Sequence, residues 1–201
     1  DSYLGLATQF YNLIRPEPPE DAYSFYRSYA REAGGPILEP MCGSGRFLLP
    51  LIQDGFDVRG FDASEHMLKA LQDKAISSHL KPNVWQDFTG NLDGNDKYNL
   101  IFIPSGSFGH IIDFADIKKS LRNFYDCLNE NGILLFEAES SLSVPINQLS
   151  VWRGMICHKP NGDSILLSRL STIENGVCYS TDKYELLKNN QIIQTEIEKF
   201  N

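Results

Sequence analysis

One stretch, Ile37-Leu38-Glu39-Pro40-Met41-Cys42-Gly43-Ser44-Gly45-Arg46, constrains the fold more than any other part of the 201-residue chain. A short apolar run of strand composition enters a loop with two glycines, and a helix follows through Leu51 until Gly55 stops it. Gly43 and Gly45 allow a turn at positive φ and a close approach of ligand to backbone. Pro50 lacks an N–H and is tolerated only near a helix start, which puts that start close to Gly45. In an open α/β sheet, a loop leaving a strand and opening a helix lies at the carboxyl edge, where ligands bind.

The pattern around this loop is an alternation. Residues 20–33 place Ala22, Phe25, Tyr29 and Ala33 at helical spacing, and Gly34-Gly35-Pro36 ends the run. Strands are expected at 37–39, 57–61, 83–86, 99–103 and 133–137. Helices are expected at 64–78 and at 114–128, where Ile117, Leu121, Phe124 and Leu128 share a face before Asn131-Gly132. Such alternation predicts a doubly wound, mostly parallel sheet with right-handed crossovers and helices on both faces. After Ser141 the pattern changes. Hairpin signals at Asn161-Gly162, Asn175-Gly176 and Asn189-Asn190 separate segments 151–158, 164–174, 177–187 and 191–200, rich in Ile, Thr, Tyr and Val. These predict a four-stranded antiparallel meander; the other reading extends the main sheet. Two domains follow: 1–141, the α/β domain, and 142–201, an antiparallel β lid or insertion expected over the carboxyl edge.

Composition excludes several functions. The chain has 18 basic and 26 acidic residues, a net charge of −8, and all of the excess lies in residues 1–141. No basic stripe offers nucleic acid or an anionic membrane a surface. Cys42, Cys127, Cys157 and Cys178 are dispersed, without C-x-x-C, and the four histidines lack a metal-binding spacing, so free thiols in a cytoplasmic setting and no metal are expected. No apolar run approaches the ~20 residues a membrane helix needs.

The Gly-rich loop selects among ligands. A nucleoside triphosphate needs G-x-x-x-x-G-K-S/T, which is absent. A dinucleotide needs a third glycine where Leu48 stands. Glu39 at the strand tip would repel a pyrophosphate and suits a cationic group, which S-adenosylmethionine presents as an α-ammonium and a sulfonium. Asp62 ends the second strand, where an acid accepts bonds from ribose hydroxyls. Asp87 ends the third and offers an acceptor for an adenine amine, with Phe88 against the ring.

Those residues resemble a class I S-adenosylmethionine-dependent methyltransferase over about the first 140 residues. The similarity is to the subgroup whose first motif reads L-E-x-x-C-G-x-G-R, here Leu38 to Arg46. Gly60-Phe61-Asp62-Ala63-Ser64-Glu65-His66-Met67-Leu68 resembles its G-x-D-x-S-x-x-M-L motif, and Pro104 to His110 its segment after strand four. Phe10-Tyr11-Asn12 resembles an aromatic-Tyr-Asp segment that closes over the methionine end, with Asn12 in place of Asp. The resemblance implies a Rossmann-like strand order 3-2-1-4-5. It implies S-adenosyl-L-methionine as cofactor, held by Tyr11, Glu39, Met41, Gly43, Gly45, Arg46, Asp62, Ala63, Met67, Asp87, Phe88 and Pro104. The family also ends its sheet in a C-terminal hairpin; either the chain stops before it, or 177–200 is that hairpin.

Methyl transfer from a sulfonium is an in-line displacement, and alignment of two bound reactants alone supplies roughly 7–11 kcal/mol. No fixed triad is required. His110, in the loop leaving strand four, is the candidate general base. Tyr11, Glu139 and Trp152 are candidates for the pocket wall. The Asn/Asp-Pro-Pro-aromatic motif of enzymes that methylate amino groups of nucleic acid bases is absent, so the expected acceptor is a small molecule with a nitrogen or oxygen nucleophile. The alternatives are a non-catalytic S-adenosylmethionine-binding module, a nucleic-acid or protein methyltransferase, and a nicotinamide-dependent oxidoreductase, which Glu39 and Leu48 disfavour.

Overall fold

The computed structural model describes residues 3–138 and 146–200, which fall into two units. In chain order the elements are α1 (Gly5–Ile14), α2 (Glu20–Ala33), β1 (Ile37–Pro40), α3 (Leu48–Gln53), β2 (Val58–Asp62), α4 (Glu65–Ser77) and β3 (Asn83–Gln86). There follow β4 (Tyr98–Ile103), α5 (Phe114–Cys127), β5 (Leu128–Phe136), β6 (Arg153–His158), β7 (Ser164–Glu174), β8 (Val177–Lys188) and β9 (Gln191–Phe200).

Glu17–Ala138 is the α/β unit. Its five strands are all parallel in the order β3-β2-β1-β4-β5, the Rossmann-like order expected. Alternation along β4 shows why both faces must be covered. Leu100 and Phe102 join one core with Tyr26 and Ala30 of α2, Leu48 and Leu51 of α3, and Leu68 and Leu71 of α4. Ile101 and Ile103 join the opposite core with Phe124 and Cys127 of α5. All four β4 residues are fully buried, as in a sheet sandwiched between helix layers. The helix starts are chemically marked. The Ser64 side chain accepts from the Met67 N–H at the start of α4, and Asp113 accepts from Ala115 and Asp116 at the start of α5.

Two boundaries differ from the sequence reading. The helix after the Gly loop begins at Leu48, later than Gly45, because Gly43 and Gly45 hold φ of 54° and 76°, which an α-helix cannot accommodate. Gly45 still accepts the first helical bond, from Leu49 N–H, and Pro50 sits in the first turn as its missing N–H requires. The last parallel strand begins at Leu128, directly after α5, and Asn131-Gly132 lies within it as an irregularity of pairing with β4 instead of ending a helix.

The second unit is the antiparallel meander, order β6-β7-β8-β9. Asn175-Gly176 and Asn189-Asn190 both take positive φ at their hairpin turns, as two-residue turns demand. Among the described residues this sheet is separate from the parallel one, so the readings of 177–200 as the family's final hairpin or as an extension of the main sheet do not hold. The sequence boundary at 141/142 lies outside the described residues, and so does Glu139. The N-terminal segment through Pro16 belongs with the antiparallel unit, not with the α/β domain to which 1–141 assigned it. The reason is α1, which the sequence reading did not identify: Leu6, Ala7 and Phe10 pack on Ile165, Leu167 and Tyr184. A charged row, Arg153–Arg169–Asp182–Glu198, crosses all four strands in register. Asp182, fully buried, takes the Arg169 fork, while Glu198 accepts from the backbone N–H groups of Tyr3 and Leu4 ahead of α1.

Candidate functional site

The carboxyl ends of adjacent parallel strands bring the sequence candidates of the α/β unit to one edge. Glu39 lies in β1 next to its tip and is 2% exposed. Its Oε2 is buried with no partner. Burial pushes its pKa well above the ordinary carboxylate range; the Arg46 charge opposes this and the Asp62 charge adds to it. A buried carboxylate oxygen without a donor is costly unless a ligand supplies one.

The loop after β1 is shaped by conformations few side chains accept. Met41 is at φ 56°, followed by Gly43 and Gly45. A Cβ on Gly45 would lie 2.8 Å from Leu71 Cγ, so this position admits only glycine on both steric and conformational grounds. Gly43 N–H donates to Asp62 Oδ2 at 2.8 Å, and Ser64 N–H donates to Asp62 Oδ1 at 2.8 Å. A carboxylate has about four acceptor sites, so Asp62 keeps two for a ligand after both bonds. Its pKa is raised, chiefly by burial, with the two backbone bonds and the His110 charge pulling the other way.

Other candidates distribute around this centre. Arg46 donates to Ser105 Oγ, linking the first loop to the β4 exit, where Ser105 and Gly106 turn at φ 64° and 71°. Pro104 is buried and accepts from Ser107. Ala63 O accepts from Gln86 Nε2, tying the tips of β2 and β3. Met67 is 2% exposed on α4, its sulfur 3.9 Å from where a Cβ on Gly43 would lie. Asp87 N–H donates to Asp62 O at 3.2 Å. Asp87 Oδ1 accepts from Phe88 N–H and Asn91 Nδ2, and the Phe88 ring is 62% exposed. His110 ends a 3-10 turn, Ser107–His110, and is exposed. Tyr11 lies on α1 in the antiparallel unit. Trp152, also in that unit, is 57% exposed.

Sequence reasoning missed Lys74. From α4 its Nζ donates to Ser44 O at 3.3 Å and Ser44 Oγ at 3.0 Å, clamping the Gly loop from behind, and burial lowers its pKa. Its position on the inner face of α4, three residues after Leu71, was the available signal. A cavity of about 210 Å³ opens beside Asp87, lined among others by Trp85, Asp93, Tyr98 and Cys127. It runs toward the start of β4, away from the Gly loop, and is smaller than ordinary cofactor pockets of roughly 300–1,000 Å³.

The chain is similar to known proteins in sequence and in fold. Residues 37–132 match the family model described as a methyltransferase domain. A Geobacillus sp. (strain WCH70) protein bearing a methyltransferase name is 28% identical over 137 residues, 66% of this chain and 56% of the relative. Glycine/sarcosine N-methyltransferase of Halorhodospira halochloris is 30% identical over 115 residues, 56% of this chain and 43% of the relative. The chain thus spans about half the length of these relatives. Among solved structures, an S-adenosylmethionine-dependent methyltransferase from Clostridium acetobutylicum superposes with a TM-score of 0.77 at 20% identity, covering 96% of this chain and 78% of that one. A sugar N-methyltransferase from Streptoalloteichus gives 0.78 at 17% identity, covering 100% and 80%. At these identities the likeness is one of fold. Residues 37–132 of the α/β unit are thus similar to a methyltransferase domain, and the unit has the strand order 3-2-1-4-5.

Proposed function

We propose that this chain, whose residues 37–132 match a methyltransferase domain, binds S-adenosyl-L-methionine and transfers its methyl group to a small-molecule acceptor. The observation that carries this reading is Glu39: a fully desolvated carboxylate oxygen without a donor, beside a loop that Gly43 and Gly45 turn at positive φ. A cationic α-ammonium supplies what that oxygen lacks. Asp62 takes the ribose hydroxyls with its two spare acceptor sites, and Asp87 with Phe88 takes the adenine. Gly43, Gly45, Met41, Ala63, Met67 and Pro104 give shape to the site, and Arg46 holds the β4 exit through Ser105.

The acceptor is small and not a nucleic acid. A net charge of −8 gives a polyphosphate no surface, and named relatives act on glycine, sarcosine and sugars. Donor and acceptor are aligned, and no covalent intermediate on the protein is needed.

Isothermal calorimetry tests the reading. S-adenosylmethionine and S-adenosylhomocysteine bind and NAD does not. Binding of NAD in preference to both, or of neither, would overturn it.

A further inference from the structure

The tip of β5 carries a carboxylate that the cofactor assignment leaves unused. Glu137 directly follows β5, is exposed, and donates its backbone N–H to Ile103 O at 3.2 Å, so it stands beside the β4 exit. Its side chain is held from the core. The Tyr26 hydroxyl, on α2, donates to Glu137 Oε1 at 2.7 Å. Tyr26 is 2% exposed and its ring is gripped by Phe25, Phe47 and Phe102, with centroids 5.4, 5.4 and 5.2 Å away. Burial and the charges of Glu137 and Glu39 push the Tyr26 hydroxyl far above the usual tyrosine value, so it stays a donor at every working pH. One carboxylate oxygen is thereby fixed, and the described residues give the other no partner.

The order of strand tips is β2, β1, β4, β5, carrying Asp62, Glu39, Ser105 and Glu137 in turn. The switch point of the sheet lies between β1 and β4, because the crossovers diverge there. With the cofactor's amino-acid end at Glu39, Glu137 stands on the far side of that point, where the acceptor must come.

We propose that Glu137 is a catalytic residue for an amine acceptor, stabilising the positive charge that builds on nitrogen, and that Tyr26 is its positioning residue. The inference rests on the methyltransferase reading of this unit. The lone pair of a neutral amine forms the bond to the methyl carbon, and the carbon–sulfur bond breaks with its electron pair going to sulfur. The sulfonium becomes a neutral thioether and the amine becomes an N-methylammonium; the proton an incoming ammonium must shed goes to solvent beforehand. Positive charge therefore migrates from sulfur to nitrogen. A preorganised carboxylate at the nitrogen favours the transition state over the neutral amine. A hydroxyl or thiol acceptor reacts as an anion or loses its proton and ends neutral, so a carboxylate there gives no such advantage.

The experiment uses labelled S-adenosylmethionine with matched probes, glycine against glycolate and glucosamine against glucose. It is paired with calorimetry of the amines against the chain saturated with S-adenosylhomocysteine. Label passes to an amine and not to its hydroxyl twin. Glu137→Gln, which keeps an acceptor for Tyr26, lowers kcat about 10²–10³-fold. The amine still binds, because the carboxylate acts on the transition state more than on the neutral amine, and S-adenosylhomocysteine binding is unchanged. Tyr26→Phe, which leaves the carboxylate in place but unheld, lowers kcat by less than Glu137→Gln does, with KM for the amine and S-adenosylhomocysteine affinity unchanged. Label on the hydroxyl twin, no label on any amine, or a Glu137→Gln chain that turns amines over like the parent would overturn the proposal. Loss of S-adenosylhomocysteine binding by the unmodified chain would instead overturn the methyltransferase reading itself.

Discussion

Gly43 and Asp62 are joined by a 2.8 Å bond in which the loop after β1 donates to the tip of β2. The bond makes one carboxylate serve two ends, since Asp62 orients the Gly loop and still presents acceptor sites outward. Asp62→Ala removes both. Affinity for S-adenosylmethionine should fall by about 1–3 kcal/mol, the usual cost of depriving buried hydroxyls of their acceptor. Calorimetry reads this directly, and wild-type affinity in the variant would show that the ribose lies elsewhere.

Glu39 makes cofactor binding depend on pH with a definite sign. Its folded pKa is raised, so just above the ordinary carboxylate range the unliganded chain holds a proton that the unfolded chain has released. Stability contributed by this group is present at acid pH and is lost as pH rises through the raised value. An α-ammonium favours the ionised form, so affinity moves the opposite way, climbing with pH over the same interval while binding releases a proton. Asp62, also raised, acts in the same sense. Calorimetry in buffers of different ionisation enthalpy measures the released proton. Glu39→Gln should flatten both trends, and an affinity that drops as pH rises would be incompatible with the assignment.

The row across the antiparallel sheet sets a stability prediction. Asp182 is fully buried and accepts from Arg169 Nε at 2.7 Å and from the Tyr184 hydroxyl at 3.2 Å. Asp182→Ala leaves a guanidinium facing Arg153 across the strand pair with no acid beside it. Removing one member of a buried pair costs about 3–5 kcal/mol. The Arg169 side chain is 41% exposed, so water recovers part of that and about 3 kcal/mol is expected from urea unfolding. A change below ~1 kcal/mol would mean that the row adds no net stability.

Much of this architecture was legible because its signals are local. Strand–helix alternation gave the parallel unit, and Asn-rich turns gave all four meander strands to within two residues. What sequence reasoning missed depends on tertiary packing. Leu6, Phe10 and Leu13 recur at helical spacing, but α1 is stabilised by Ile165, Leu167 and Tyr184, which lie far along the chain. Asn131-Gly132 reads as a helix stop, yet strand pairing with β4 absorbs it as an irregularity. Glu39, Gly43, Gly45 and Asp62 could be placed at the carboxyl edge from sequence because each ends or follows a strand. Lys74 and Glu137 are bonded to partners 30 and 111 residues away, Ser44 and Tyr26, which no local pattern reveals.

His110 tests how the reaction is catalysed. It is exposed at the end of the turn after β4, and its charge opposes in part the burial that raises the Asp62 carboxyl. On the proposed reading Asp62 takes the ribose, and an amine that enters neutral needs no base at the moment of transfer. A true general base would cost about 10²–10⁴-fold in kcat when removed. His110→Ala should instead cost less than about tenfold, a barrier change under roughly 1.4 kcal/mol. The measurement is steady-state kinetics with the amine identified by label transfer, run beside S-adenosylhomocysteine binding. A hundredfold loss of kcat at unchanged cofactor affinity would assign proton abstraction to His110. The smaller loss leaves catalysis to alignment and to the carboxylates at the strand tips.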